Sequence, residues 1–294
     1  EIPVDSRFRM DVAALATAIA ADRRAGLQPL VTVASAGTTN TGALDDLHAV
    51  ADACAREGVW FHVDGAYGGA FVLCDEGRRL LSGMERADSI ALDPHKGLFL
   101  PFGTGCLLVR DGAALRRSHA TGAHYLRDFD GDTADEGPPA ARPGLGHGLS
   151  PTEHGPELSR SYRGLRLWLP LMLHGARAFR EVLAEKLELA RRAHDGLVAL
   201  VTGGAPLEVV AAPQLSTLAF RLRRDAGEAL APWNGRNVAF VERINAPRRV
   251  HLSTTHLPVH DGVAVTLRAC VLNPATDAAR IDAFLEDTAN ALRP

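Results

Sequence analysis

Along the first 110 residues, short β-branched and apolar runs alternate with segments whose apolar positions recur every three to four residues. Leu30-Val-Thr-Val-Ala-Ser35 reads as a strand that stops at Gly37. Asp45 then opens a helical pattern, with Leu47, Val50, Ala51 and Cys54 on one stripe and Gly58 as terminator. Val59–Asp64 is a second strand, followed by the glycine-broken Gly65-Ala-Tyr-Gly-Gly69. Ser89–Asp93 and Gly105–Arg110 are two more. Strands joined by helical crossovers predict an α/β layer around a mainly parallel, largely buried sheet.

From His119 to Pro156 the periodicity gives way to Gly, Pro, Asp and His, which predicts a long, mobile loop over about 119–156. A helical region follows from about Leu158 to Leu200, with Pro170 expected to bend or divide it. After Gly203-Gly204, strand runs at Leu207–Val210, Leu215–Leu222, Val250–Thr254 and Val263–Val271 surround a helix near Arg236–Ile244. A last helix covers Asp277–Leu292. The organisation expected is a large α/β domain over 1–160 that includes the loop, a helical connector over 161–202, and a smaller α+β C-terminal domain over 203–294.

Composition narrows the class. With 46% hydrophobic and 23% charged residues over 294 positions, the chain is neither disordered nor fibrous. A net charge of −3 and scattered arginines give no pull toward nucleic acid or an anionic membrane. The most apolar stretch, Leu165–Leu173, is too short for a membrane span and contains Arg166 and Pro170. Cys54, Cys74, Cys106 and Cys270 form no C-x-x-C pair, so free thiols in a reducing, cytoplasmic compartment are expected, without a metal site. His119, His124, His147 and His154 are irregularly spaced and also read as loop residues rather than ligands. The start, Glu1-Ile-Pro-Val-Asp, lacks an initiator Met and a signal-peptide layout, and reads as a cut into a longer chain. Only two of the 32 basic residues are lysines, Lys96 and Lys186, and Lys186 among Glu181, Glu185 and Glu188 reads as an ordinary charged helix residue.

Lys96 differs by position. In Asp93-Pro94-His95-Lys96-Gly97 it falls just past a strand's carboxyl end, the edge where open α/β sheets bind ligands. It is either an exposed turn residue or, if buried, an amine of lowered basicity able to form a Schiff base with a carbonyl. Asp64 ends another strand beside small residues. It either caps a turn or holds a protonated ring nitrogen, with Ala66 and the glycines allowing a flat ring to approach. In Ala36-Gly37-Thr38-Thr39-Asn40-Thr41-Gly42, hydroxyls and backbone N–H groups past a third strand suit a phosphate, a phenolic oxygen or a carboxylate. Amine, acid and hydroxyls together are what pyridoxal 5'-phosphate needs.

The stretches Ala36–Asp45, Trp60–Gly69 and Ala87–Lys96, with 32 residues from Asp64 to Lys96, resemble the pyridoxal-phosphate-dependent group II amino-acid decarboxylases, the aromatic-L-amino-acid and glutamate decarboxylase-like family of fold type I. The resemblance continues through Pro156–Trp168 and Leu267–Thr276. It implies a fold type I large domain and a small C-terminal domain. It also implies that Lys96 carries the cofactor as a Schiff base, Asp64 pairs with the pyridinium nitrogen, and Ala66 packs beneath the ring. His95 would approach the phosphate or the Schiff-base region, and Thr39 would line the cofactor and substrate side. Tyr125 would stand where the family's catalytic loop protonates the substrate carbon. Bottom-up, Tyr125 is equally a plain loop tyrosine, and Arg160, Arg163 and Arg268, which also match, are equally structural ion-pair residues.

The activity implied is decarboxylation of an L-amino acid, aromatic by resemblance, to the amine and CO2 in a cytoplasmic homodimer whose active site lies near the subunit interface. The family's ring-stacking histidine and much of its phosphate loop come from a segment upstream of Glu1. The alternatives are another fold type I reaction (aminotransfer, carbon–sulfur lysis or decarboxylating aldehyde synthesis) and a truncated, non-catalytic dimerising fragment.

Overall fold

The computed structural model describes residues 1–119 and 154–293. They fall into two compact units, residues 1–108 with 166–294, and residues 109–165. Most of the loop expected over 119–156, Tyr125 included, lies outside the described residues.

The chain begins with α1 (Val12–Arg24), which was not evident from the sequence. Its apolar stripe is thin, burying only Leu15 and Ile19, and its start is set by Asp11, whose side chain accepts from Ala13 and Ala14 N–H. The run before Gly37 forms β1 (Val31–Ser35), and α2 (Leu47–Glu57) crosses to β2 (Trp60–Asp64). The cap of α2 is Asp46, accepting from Ala49 N–H, rather than Asp45. Asp45 is buried and turns back, accepting from Ser35 N–H at 2.7 Å and Met10 N–H at 2.6 Å. Gly58 ends α2 in the left-handed conformation that glycine adopts at least cost.

After α3 (Asp75–Leu80) come β3 (Ser89–Leu92), the short α4 (Pro94–Gly97), β4 (Cys106–Val109) and α5 (Gly112–His119). The first sheet has strand order β1-β2-β3-β4. Its first three strands are parallel, with Ser35 opposite Asp64 and Asp64 opposite Ala91. The core beneath it gathers Ala34, Val50, Phe61, Val63 and Phe71 with Leu183 and Leu187.

Those two leucines belong to α6 (Gly164–Thr202). The expected break at Pro170 is corrected: the backbone leaves helical geometry at Gly175, with φ 73° and ψ 153°. A left-handed φ is costly for any residue with a Cβ, so the bend settles on the nearby glycine. Beyond it, Phe179, Leu183, Leu187, Ala190, Ala193 and Leu197 keep helical spacing and are buried. Lys186 lies on this buried face. Its side chain is fully enclosed, and Nζ donates to Thr276 O at 2.5 Å, Pro274 O at 3.2 Å and Glu185 Oε2 at 2.9 Å.

The second sheet is antiparallel, in order β5-β6-β8-β7, from β5 (Leu207–Ala211), β6 (Thr217–Leu222), β7 (Ser253–Val259) and β8 (Gly262–Cys270). Between them α7 (Leu230–Asn245) starts six residues earlier than its strongest sequence signal. The last helix, α8 (Ala278–Ala291), is capped by Asp277. The strand expected at Val250–Thr254 instead runs through Pro258, which an edge strand tolerates because its outer N–H needs no partner. Phe220, Phe240 and Phe284 centre its core. Among the described residues no helix is long and apolar enough to cross a membrane.

Candidate active site

Three neighbouring parallel strands end on one edge of the first sheet, and the three turns singled out in the sequence leave from those ends. That edge is where α/β sheets place ligands, because the chain must turn away there and open a crevice between strand ends.

Asp64 is the last residue of β2 and is exposed. Its Oδ1 accepts from Ala66 N–H at 3.0 Å, which fixes the carboxylate. Its second oxygen has no hydrogen bond among the described residues. The turn after β2 is stitched to its neighbour: Gly65 N–H donates to Ala91 O at 2.9 Å, and Asp93 N–H donates to Ala66 O at 3.3 Å. Ala66 borders an apolar cavity of about 130 Å³ that Leu92, Asp93 and Pro94 also line.

α4 lifts Lys96 out of the turn after β3. Pro94 pre-sets its first position, and Phe99, held at φ 58°, ends the helical turn. The Lys96 side chain is 44% exposed, and its Nζ stands 2.7 Å from Asp93 Oδ2, an ion pair within one turn. Next to it, His95 Nδ1 donates to Thr104 O at 2.8 Å, and Nε2 lies 3.9 Å from Asp93 Oδ2. Phe102 meets the His95 ring edge-on at 5.0 Å. The Thr104 hydroxyl, buried one residue before Gly105, has no hydrogen-bond partner among the described residues.

In the turn after β1, Thr38 Oγ1 is shared between Thr41 Oγ1 and Ala43 N–H, both at 3.0 Å. Thr38 and Thr41 are therefore consumed in shaping the turn, while Thr39 is exposed with its hydroxyl free of other described residues. Asp64, Ala66, His95, Lys96 and Thr39 thus all lie in turns at one sheet edge. Of the arginines, Arg163 is paired with Glu157 at 2.9 Å, and Arg268 Nε is buried without a partner among the described residues.

Two features of the site escaped the sequence reading. One is the Asp93–Lys96 pair. The other is Tyr67, quoted only as part of a glycine-rich stretch, whose buried hydroxyl bonds Ser216 from 149 residues away.

A mainly parallel α/β sheet with an amine and a carboxylate rooted at adjacent strand ends defines a protein equipped to hold a ring-bearing carbonyl compound at that edge. Comparison with known proteins makes the class specific. The profile of the pyridoxal-dependent decarboxylase conserved domain matches residues 1–223, and the chain belongs to that family. It is 34% identical over 275 residues to the aromatic-L-amino-acid decarboxylase of Bacillus atrophaeus, covering 94% of this chain and 53% of that protein. It is 33% identical over 254 residues to tryptophan decarboxylase 1 of Oryza sativa subsp. japonica, covering 85% and 46%. The crystal structure of Oryza sativa TDC with PLP and tryptamine superposes with a TM-score of 0.81 at 28% identity, over 99% of this chain and 56% of that one. The fold expected from the sequence, fold type I with a mainly parallel large-domain sheet, is the one found. The chain spans about half the length of the curated relatives it matches.

Proposed function

We propose that the protein to which this chain belongs decarboxylates an L-amino acid, aromatic or otherwise hydrophobic, to the amine and CO2 with pyridoxal 5'-phosphate, as a homodimer. The observation that carries the reading is Asp64 at the end of β2 and Lys96 in α4, just past the end of β3, on adjacent strands in a sheet of this family.

The residues present fit the cofactor. Lys96 offers a solvent-reachable amine, Asp64 an oriented carboxylate with one oxygen to spare, and Thr39 a free hydroxyl. The orphaned Thr104 hydroxyl beside His95 adds a polar atom in want of a partner. When bound, the cofactor's protonated ring withdraws the electron pair left on Cα as CO2 departs. Lys96 would be the residue to hold the cofactor's carbonyl, and Asp93, 2.7 Å from its Nζ, is the partner of its ammonium when the amine is free. Asp64 keeps the ring nitrogen protonated, since a carboxylate beside a cationic N–H favours the charged form. Ala66 is small enough to let the ring lie on the turn. His95, with Nδ1 committed to Thr104 O, presents Nε2 toward the Asp93–Lys96 side. Tyr125, which lies outside the described residues, would supply the proton to the substrate carbon, giving the amine rather than an aldehyde.

The test is product analysis of the full-length protein with tryptophan, tyrosine and other amino acids. Stoichiometric amine and CO2 support the proposal; an aldehyde, a keto acid or no turnover refutes it.

A further inference from the structure

Four consecutive residues at the entry to β6 each touch the turns that leave β1 and β2. Gln214 Oε1 accepts from Leu44 N–H at 3.0 Å. Leu215 fills the space beside Gly37 and Gly68, where an added Cβ would fall 3.2 and 2.6 Å from its Cδ1. Ser216 N–H donates to the Tyr67 hydroxyl oxygen at 3.0 Å, and the two hydroxyls are 2.8 Å apart. Thr217 stands against Gly42.

Tyr67 is the centre of this arrangement. It is buried, and its ring lies so close to the turn after β1 that a Cβ on Gly37 would come within 2.6 Å of Cδ1. It belongs itself to the turn after β2, three residues from Asp64, and its carbonyl lies against Gly97, the neighbour of Lys96 in α4. One residue therefore touches or belongs to all three turns, its ring against the first and its backbone carbonyl against the third, and its hydroxyl is tied to Ser216 at the entry to β6 of the other sheet. A tyrosine suits this: its ring is rigid, with two rotatable bonds, and its hydroxyl can accept and donate at once.

We infer that Tyr67 is a positioning residue, through which the antiparallel sheet, by way of Ser216, sets the spacing of the turns bearing Thr39, Asp64 and Lys96. The inference rests on the proposal that these turns seat the cofactor. A site held within about half an ångström needs such support behind the contacting groups. Phenylalanine at 67 would keep the ring packing and leave Ser216 N–H and Oγ buried without their partner, so the turns would loosen while the fold persists.

The experiment uses Tyr67→Phe, Ser216→Ala and, as control, Trp233→Phe in the full-length protein. Trp233→Phe removes a buried bond from α7 to the end of β6 in the same sheet, Nε1 to Leu222 O at 2.8 Å, away from the turns. Amide hydrogen exchange on the cofactor-free protein is read first. Tyr67→Phe is expected to speed exchange in 36–44 and 65–69 about tenfold, the scale of one buried hydrogen bond. Ser216→Ala, which keeps the N–H donor, has a smaller effect in the same segments, and Trp233→Phe leaves them unchanged. Titration with pyridoxal 5'-phosphate, followed by absorbance, then shows half-saturation raised about tenfold in Tyr67→Phe and unchanged in Trp233→Phe. Exchange in these turns at the unmodified rate in Tyr67→Phe, or equally accelerated in Trp233→Phe, overturns the inference. A wild-type protein without Lys96-dependent absorbance would overturn the reading of the site instead, and the exchange data would still decide on Tyr67.

Discussion

Lys186→Met removes an ammonium from a position with no solvent access and leaves the rest of α6 as it was. Three acceptors lose their donor: Thr276 O, Pro274 O and Glu185 Oε2. Glu185 is half exposed and rehydrates, and Pro274 is exposed, so the loss concentrates on the carbonyl of half-buried Thr276, which faces the enclosed Nζ. An acceptor left facing an enclosed apolar group without its donor costs about 1–3 kcal/mol. Methionine matches the lysine stem in volume and removes the cost of keeping a charge from water, so the net loss stays at about 1–3 kcal/mol. For a chain of this size that corresponds to roughly 2–5 °C in Tm. Lys186→Arg should fare no better, because the larger guanidinium has to be forced into a filled space at about 1–3 kcal/mol. Urea unfolding followed by circular dichroism reads both. The segment 273–280, which leads into α8, should exchange its amides faster in Lys186→Met, while the titration with pyridoxal 5'-phosphate is unchanged. Wild-type stability in either variant would refute the reasoning.

Under the proposed function, Asp64→Asn would exchange a charged partner for a neutral one at the ring nitrogen; the loss of a charge-assisted bond, about 1.5–3 kcal/mol, predicts roughly a 10- to 150-fold fall in kcat with a smaller change in KM, measured by steady-state amine formation. Asp45→Asn turns one of two acceptors toward the N–H groups of Ser35 and Met10 into a donor, so the unfolding midpoint in urea should drop by the equivalent of about 1–3 kcal/mol. Burial, seconded by the nearby Cys270, holds the Tyr67 phenol above its ordinary value of 10.0. The unfolded chain therefore ionises first, and Tyr67's share of stability is complete below about pH 10 and lost as pH rises beyond it. Urea midpoints from pH 9 to 11 should fall less steeply in Tyr67→Phe than in the unmodified protein.

Much of the candidate site's sheet edge was legible because it is local. Each of β1, β2 and β3 is a short apolar run ended by a Gly- or Pro-bearing turn, and Asp64 and Lys96 follow within those same few residues. What was not legible depends on distance or on competition between equals. Asp45 and Asp46 are equally good caps, and only the Ser35 and Met10 N–H groups waiting for Asp45 decide between them. Pro170 and Gly175 both invite a bend, and the left-handed φ went to the glycine. Lys186 sits among glutamates in the sequence, which suggests a solvated face, yet the carbonyls that draw it inward lie 88 and 90 residues away. Tyr67 finds Ser216 at a separation of 149. The scarcity of lysine gains meaning from this outcome. Among so many arginines, both lysines occupy places a guanidinium would serve poorly: Lys186 because it must fit an enclosed space, and Lys96, under the proposed function, because an amine is needed to react with a carbonyl.

The most direct measurement is Lys96→Ala in the full-length protein, read by visible absorbance after addition of pyridoxal 5'-phosphate and by CO2 release from an aromatic L-amino acid. The account predicts that the wild type binds the cofactor covalently and releases CO2, and that the variant shows neither the lysine-linked absorbance band nor CO2 above background. Persistence of both in Lys96→Ala would contradict it.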